Sequence, residues 1–452
     1  AGPMRMYSFF NGGPEIMQWF KDRGFYPWWT PEEMHIALWR PIAGWIASLE
    51  YRFWPEKAPW MHIQSIGWFA LLAYFVAHYY RTMMGKSWLV GVATILFLMN
   101  GCLSLPVAWL ANRHTLLALV FGILTLIAHD RWRKSEKSLW AFLSSLYLLL
   151  SVLSSESGIA TVAYLLSYAV FIDTTPKKSR FLSCLPYLVI ILGWRMVYNH
   201  LGYGAWGNAW YIDPVREPLR FAWASIERLP ILLFGVFGYP NPEFVILLSP
   251  QATRIYSLCT ALILGIGIYL LYPLGKQDRM AGFWAWSSLL SAIPFCAGIP
   301  DQRNMSFTTF GAIALFIVLI QNWREPRSSL PTHRGWLRFV RVWVWISCII
   351  FGIINPLNTL GRPQLMSRAG KMFSSQLKIG NYESLAGKDI VLVNPILSPL
   401  SAYVITNQLL HDQIPPSYFR TLASGIDPLE IERVDEYTLR IHPQQGYYPP
   451  AG

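Results

Sequence analysis

Leu105-Pro-Val-Ala-Trp-Leu-Ala-Asn-Arg-His-Thr-Leu-Leu-Ala-Leu-Val-Phe-Gly-Ile-Leu-Thr-Leu-Ile-Ala-His-Asp130 is the stretch that decides how the chain is read. From Thr115 to Ala128 it carries no charge and is apolar at every helical phase, so no face of such a helix is suited to water. Arg113 and His114 stand at its front, and Arg131, Arg133 and Lys134 follow directly behind. A run of about 20 residues, apolar all round and charged only at its ends, is the pattern of a helix crossing a bilayer.

The same pattern recurs along the chain. Apolar runs near 63–80, 88–105, 107–129, 139–154, 157–173, 181–199, 254–273, 281–298, 305–322 and 338–358 predict about ten spans, an all-α polytopic membrane protein. Composition agrees: 54% of the 452 residues are hydrophobic and 14% charged, too little charge to coat a soluble body of this size. The 22 Trp and 23 Tyr often flank the runs, where amphipathic rings settle at headgroup level. Cys102, Cys184, Cys259, Cys296 and Cys348 lie in or beside the runs without the spacing of a metal site or a disulfide framework.

The net charge of +12 is not the footprint of nucleic-acid binding, because no basic stripe is interleaved with aromatics in a soluble segment. Lys and Arg gather instead in short loops: Arg81 and Lys86, Arg131 to Lys137, Lys177 to Arg180, Lys276 and Arg279, Arg324 to Arg338. These alternate with loops of little charge, so the positive-inside rule puts them in the cytoplasm. Residues 1–62, the large loop 200–253 and everything from 359 onward then fall on the non-cytoplasmic side. Residues 1–35 hold no apolar segment able to carry the N-terminus across, so one more span is expected upstream.

Three domains follow from this reading: an outer-face interfacial segment at 1–62, a transmembrane core at 63–358, and a small α+β extracytoplasmic domain at 359–452. Residues 14–56 mix Trp19, Trp28, Trp29, Trp39, Trp45 and Trp54 with charges and prolines, predicting amphipathic helices lying in the interface, one opening at Pro31 with Thr30 as its cap. Pro218 to Phe237 predicts another, after a glycine-rich turn at Gly202, Gly204 and Gly207. In the last domain, Asp389 to Asn394, Tyr418 to Ser424, Leu429 to Val434 and Tyr437 to His442 read as strands, and Ser401 to His411 as a helix.

Ionisable side chains at membrane depth are costly and mark function or a structural ion pair. Asn112, Arg113 and His114, Glu156, Arg195 with Asn199, and Asp301 with Arg303 all fall at outer ends of spans. Together they predict one outward-opening cavity in which Arg113, Arg195 and Arg303 hold a phosphate and Glu156 fixes one of them. The plainer alternative is that Glu156 pairs with Arg113 only to neutralise two half-buried charges. Three arginines against two acids favour an anionic ligand. His62, His78 and His114 are too scattered for a metal trio, so no structural metal is expected; a divalent cation beside the phosphate stays open.

Several motifs carry a resemblance: Trp39-Arg-Pro-Ile42, Leu49-Glu-Tyr-Arg-Phe53, His62 opening a span, Leu105 to Arg113, Ser154-Ser-Glu-Ser-Gly-Ile159 and Asp301-Gln-Arg-Asn-Met-Ser306. In this order, over about residues 35–320, the chain resembles the membrane core of the C-type glycosyltransferases. It is most similar to bacterial relatives of the tetratricopeptide-repeat O-mannosyltransferases and of the protein mannosyltransferases. The resemblance implies a multi-pass protein of the bacterial inner membrane with periplasmic N-terminal segment and C-terminal domain. It also implies transfer of a sugar from a polyprenyl-phosphate donor to a protein, glycan or lipid acceptor. Such a reaction needs a carboxylate to take the acceptor's proton and cations to stabilise the leaving phosphate. The family places its acid in the first outer loop, often as an acidic pair. Here the candidates are Asp22, Glu32 and Glu33, none of them an Asp-Asp pair, and Glu32 and Glu33 also suit the first turn of a helix after Pro31. Ser155 stands where the family has Lys, and Glu50 where Asp is usual. These departures keep open a second reading, a non-catalytic scaffold or accessory subunit of a larger membrane assembly. A transporter is disfavoured, since no inverted repeat or matched pair of broken spans is present.

Overall fold

The computed structural model describes residues 7–10, 13–55, 57–208, 210–237, 239–324, 330–331, 333–376, 389–393, 418–422 and 429–443. The chain is mostly helical. Its described helices are α1 (Pro14–Asp22), α2 (Pro41–Phe53), α3 (Ala58–Met84), α4 (Trp88–Leu98), α5 (Ser104–Ala108), α6 (Arg113–Ser135), α7 (Ser138–Ser154), α8 (Thr161–Ser167), α9 (Lys177–Leu182), α10 (Leu185–His200), α11 (Pro218–Phe237), α12 (Pro250–Gly275), α13 (Arg279–Ala292), α14 (Ser306–Arg324), α15 (Arg334–Ile349) and α16 (Asn355–Gln376). Its strands are β1 (Ser8–Phe10), β2 (Arg23–Pro27), β3 (His35–Ala37), β4 (Gly204–Trp206), β5 (Asp389–Leu392), β6 (Tyr418–Thr421), β7 (Leu429–Arg433) and β8 (Leu439–Pro443).

Every apolar run expected to be a span is helical, but not every one forms a single helix long enough to cross a membrane. Among the described residues seven helices are long and apolar enough to cross a membrane, or eight if a bent pair counts as one. The run at 88–105 is that pair: α4 ends at Leu98, and the chain turns by 49° before Gly101–Ala108. The Asn100 side chain accepts the Cys102 N–H at 3.0 Å and so caps the second segment. The runs at 139–154 and 157–173 form helices of 10–17 residues. At 1.5 Å per residue such helices fall short of a hydrocarbon core about 30 Å thick. Of the ten expected spans, seven to eight are thus visible among the described residues.

The chain divides into two compact units. The first comprises 1–9, 37–204 and 211–360; the second comprises 10–36, 205–210 and 361–452. This differs from the expected division at 62 and 358, since residues 10–36 belong with the C-terminal part and not with an independent interfacial segment.

In the first unit α6 and α14 are innermost, with 72% and 78% of their apolar windows buried, against 11% for α12. The core is aromatic. Tyr80 stacks on Phe310 with centroids 4.7 Å apart and donates to the Phe310 carbonyl at 2.6 Å, while Trp284 packs edge-on against both rings. A Cβ at Gly122 would lie 2.7 Å from the Phe307 ring and from Thr161 Oγ1, so glycine is what lets α6 approach α14 and α8 this closely. The exposed flanks of α10 and α12 carry Leu188, Val189, Ile255, Leu258 and Ile266, side chains suited to lipid and not to water.

The second unit holds α1 and a three-stranded parallel sheet in the order β2-β6-β5. Asp389 to Leu392 pair in register with Tyr418 to Thr421, and the Thr421 hydroxyl donates to the Gly24 carbonyl at 2.7 Å. β7 and β8 form an antiparallel hairpin. Three of the expected C-terminal strands are thus present in shorter form, as is the strand at 389; the helix expected at 401–411 lies outside the described residues. The helix expected at Pro31 is not formed. A single turn, Met34 N–H to Pro31 carbonyl at 3.2 Å, leads straight into β3. His35 stacks on Trp206 at 3.9 Å, and that ring contact holds the backbone extended where a first helical turn was expected.

Candidate functional site

The residues that gather the ionisable layer of the first unit begin with a proline. Pro41 opens α2 at a position where its missing N–H costs nothing, and Arg40 is the residue before it. The Arg40 side chain makes no cap and is free to leave the helix. Its Nε donates to Glu156 Oε2 at 2.7 Å, its Nη1 lies 2.8 Å from His114 Nε2, and its guanidinium sits 5.2 Å from the centre of the Tyr7 ring. An arginine can only donate, so His114 Nε2 is the acceptor and the imidazole is neutral with its proton on Nδ1, which lies 3.2 Å from Ser155 Oγ. Burial pulls Arg40 toward neutrality, but the Glu156 carboxylate more than offsets this and holds the guanidinium's pKa above its ordinary value.

Glu156 is placed by the break between α7 and α8. Ser155 is extended and its hydroxyl accepts the Ser157 N–H at 3.4 Å, starting a tight turn over Glu156–Ala160. A Cβ at Gly158 would lie 2.6 Å from the Ser151 carbonyl carbon, so this turn closes against the end of α7 only with glycine there. The other carboxylate oxygen faces the Tyr198 hydroxyl at 3.5 Å.

Arg113 has a different neighbourhood. It is bound by Glu50 through Nη1, by Ser65 Oγ at 2.8 Å, by Gln64 Oε1 at 2.8 Å and by the Met61 carbonyl at 2.6 Å. Both members of the Arg113–Glu50 pair are only 4% exposed. Burial raises the Glu50 pKa, and Arg113 together with the more distant His62 only partly reverses it. Arg195 holds Asp213 through both carboxylate oxygens at 2.7 Å, and Asp213 also accepts the Val215 N–H at 2.9 Å. Arg303 pairs with Asp301 at 2.8 Å and lies 5.6 Å from the Trp109 ring centre.

Glu156 therefore fixes none of Arg113, Arg195 and Arg303, the alternative in which it merely neutralises Arg113 does not occur either, and among the described residues the expected surplus of positive charge is absent. Four arginines meet four acids one to one: Arg40 with Glu156, Arg113 with Glu50, Arg195 with Asp213 and Arg303 with Asp301. They still share one electrostatic neighbourhood. His114 feels the charges of Arg40 and Arg303, and Tyr198 those of Glu156, Arg40, Arg195 and Asp213. Arg195 and Arg303 are 24% and 29% exposed, Glu156 25%. Among the described residues, Arg195 Nε and Asn112 Nδ2 in this layer have no hydrogen-bond partner.

Sequence reading missed Arg40, Glu50, Asp213 and Tyr198 as members of this layer. Arg40 and Glu50 stood inside quoted motifs, whereas Asp213 lay in a polar loop with nothing to single it out. It also missed Arg228, a buried residue of α11 that donates to the Cys296 and Gly298 carbonyls at 3.0 Å and so anchors the loop leading to Asp301. Burial pulls the Arg228 guanidinium below its usual pKa. Glu243 adds a second anchor by accepting the Gln302 N–H at 3.1 Å.

Asp22, Glu32 and Glu33 belong to the second unit. Asp22 ends α1 and accepts from Gln18 Nε2 at 2.8 Å; Glu32 and Glu33 are exposed in the turn before β3. Among the described residues no three His, Cys, Asp or Glu side chains come together to hold a metal ion. No family model, curated protein or solved structure matches the chain.

Proposed function

We propose that this chain is a membrane glycosyltransferase that takes a sugar from a polyprenyl-phosphate donor and passes it to an acceptor outside the cytoplasm. The observation that carries the reading is the partly exposed side of the polar layer: Glu156 on the more buried Arg40, and the Arg195–Asp213 and Arg303–Asp301 pairs, with Arg195 Nε and Asn112 Nδ2 buried and without a hydrogen-bond partner among the described residues. A leaving phosphate needs donors already aimed at the place where its charge develops. Guanidinium groups suit it because their planar fork matches two phosphate oxygens. Within this reading Arg113 has a supporting role: its Glu50, Gln64 and Ser65 partners fix the start of α6, next to His114 and Asn112.

The test is transfer from a short polyprenyl-phosphate hexose by purified protein in detergent. Wild type is expected to turn over, Arg303→Ala and Arg40→Ala to lose at least ten-fold, and Glu156→Gln to lose less. Equal background signal from wild type and both arginine variants would end the proposal. Asp22→Asn, Glu32→Gln and Glu33→Gln decide in the same assay whether one of these carboxylates takes the acceptor's proton.

One observation favours the second reading, a non-catalytic accessory subunit: every arginine of the layer already has a carboxylate. On that reading the layer is a set of packing ion pairs, and none of the variants alters a bound lipid.

A further inference from the structure

A second place in the first unit has the chemistry of an anion site, at the end of α3 away from the Arg113–Glu50 pair. About 20 residues of α3 separate the two, or roughly 30 Å along the helix. There a cleft of about 430 Å³ opens where α3 gives way to α4. Arg81 and Lys86 line it, and both are exposed. No carboxylate lines it, and among the described residues neither cation has an ion-pair partner. Gly85, with φ of +81°, makes the turn that sets Lys86 across from Arg81.

The wall of the cleft continues along α4. Ser87 caps this 11-residue helix, its hydroxyl accepting the Leu89 N–H at 3.3 Å and keeping its own proton to donate. The positive end of the α4 dipole adds to the field of Arg81 and Lys86. Trp88 is 68% exposed, and the Arg324 guanidinium stands 5.8 Å from its ring centre. Farther along, the wall is Gly91 and Thr94, and a Cβ at Gly91 would meet nothing within 4 Å, so a furrow runs from the charged mouth along apolar helix.

We propose that this cleft binds an anionic phospholipid, with the headgroup phosphate between Arg81 and Lys86 and one acyl chain in the furrow past Gly91. Charge complementarity selects the headgroup: two uncompensated cations and a helix N-terminus face a group with a net negative charge. The furrow selects the lipid over a free phosphate, since apolar wall gains nothing from a soluble anion but buries an acyl chain. Trp88 sets the depth, as tryptophans do at headgroup level. The inference is independent of sugar transfer, because it uses other residues at the other end of α3.

The experiment is binding of short-chain phosphatidylglycerol to the delipidated full chain in a neutral detergent. Phosphatidylcholine of the same chain length and inorganic phosphate are titrated in parallel. Phosphatidylglycerol is expected to bind at least ten-fold more tightly than either. Each cation on an anionic lipid is worth about five-fold, so Arg81→Ala with Lys86→Ala lowers that affinity roughly 25-fold. Gly91→Leu fills the furrow and is expected to weaken the lipid several-fold while leaving inorganic phosphate unchanged. Should the double variant not fold, Arg81→Gln with Lys86→Gln carries the same expectation. Equal affinity for the two lipids overturns the proposal, as does inorganic phosphate binding as tightly as phosphatidylglycerol. Folded cation variants that bind like wild type overturn it too.

Discussion

Two ion pairs of one polar layer behave as opposites. Arg113–Glu50 is closed to solvent, and its guanidinium donates to four partners on or beside α2 and α3; Arg303–Asp301 is about a quarter exposed, with a single carboxylate and a tryptophan face. A closed pair is costly to break and gains little by existing, because its charges were taken from water to make it. A half-open pair is cheap to break and can exchange its carboxylate for another anion. Burial, and not the presence of arginine, therefore separates scaffold from candidate site.

That contrast breaks first at Glu50. Glu50→Ala leaves the Arg113 guanidinium buried and unpaired, and a loss of about 3–5 kcal/mol is expected in denaturant titrations of the detergent-solubilised protein. A loss below about 1 kcal/mol would mean that water reaches Arg113 and that the contrast is false.

Next in size is the pair at the far end of α6, where Arg133 donates to Asp173 at 2.7 Å and to Thr175 and Ser179. Asp173→Asn is expected to cost about 1.5–3 kcal/mol near neutral pH. Burial tends to raise the Asp173 pKa, but the Thr175 hydrogen bonds and Arg133 outweigh it and hold the carboxyl below its ordinary value. A depressed pKa contributes stability that is present above the unfolded-state value near 3.9 and is lost as pH falls through the folded value. Unfolding scans from pH 6 downward should show this loss in wild type and a shallower one in Asp173→Asn; identical slopes would remove Asp173 from the account.

The smallest effects on stability belong to the open pairs. Glu156→Gln, which keeps an acceptor for Arg40, should cost about 1 kcal/mol or less, and Arg303→Ala within about 1 kcal/mol. Their melting temperatures should stay close to wild type while transfer from the polyprenyl-phosphate donor falls. A stability loss for Arg303→Ala as large as that for Glu50→Ala would place both pairs in the same class.

Much of the fold was legible in the sequence and less of the site. Thr115 to Ala128 announce their helix by composition, because an uncharged apolar run has one stable form in lipid, where every backbone group must be paired within the segment. The short helices Ser138–Ser154 and Glu156–Ile172 were harder, since runs of this length do not say whether lipid or protein will cover them. The turn at Pro31 read as a helix start because Pro followed by Glu-Glu fits one locally; stacking of His35 on Trp206, 171 positions away, overrode it. Asn112, Arg113, His114, Glu156, Arg195, Asp301 and Arg303 stand out in the sequence as polar or ionisable residues at the ends of apolar runs, but which of them pair, and with whom, is not legible there.

What the sequence by itself determined is the membrane character of the chain and the position of most of its helices, since hydropathy over some twenty residues is a local property with a local consequence. Only the tertiary structure decided that Glu156 meets Arg40 and that Arg113 meets Glu50, pairs separated by 116 and 63 positions. Any of these arginines attracts any of these carboxylates, and the attraction carries no address. Which pair forms, and whether it is sealed or open, depends on how α2, α3, α6 and α7 pack.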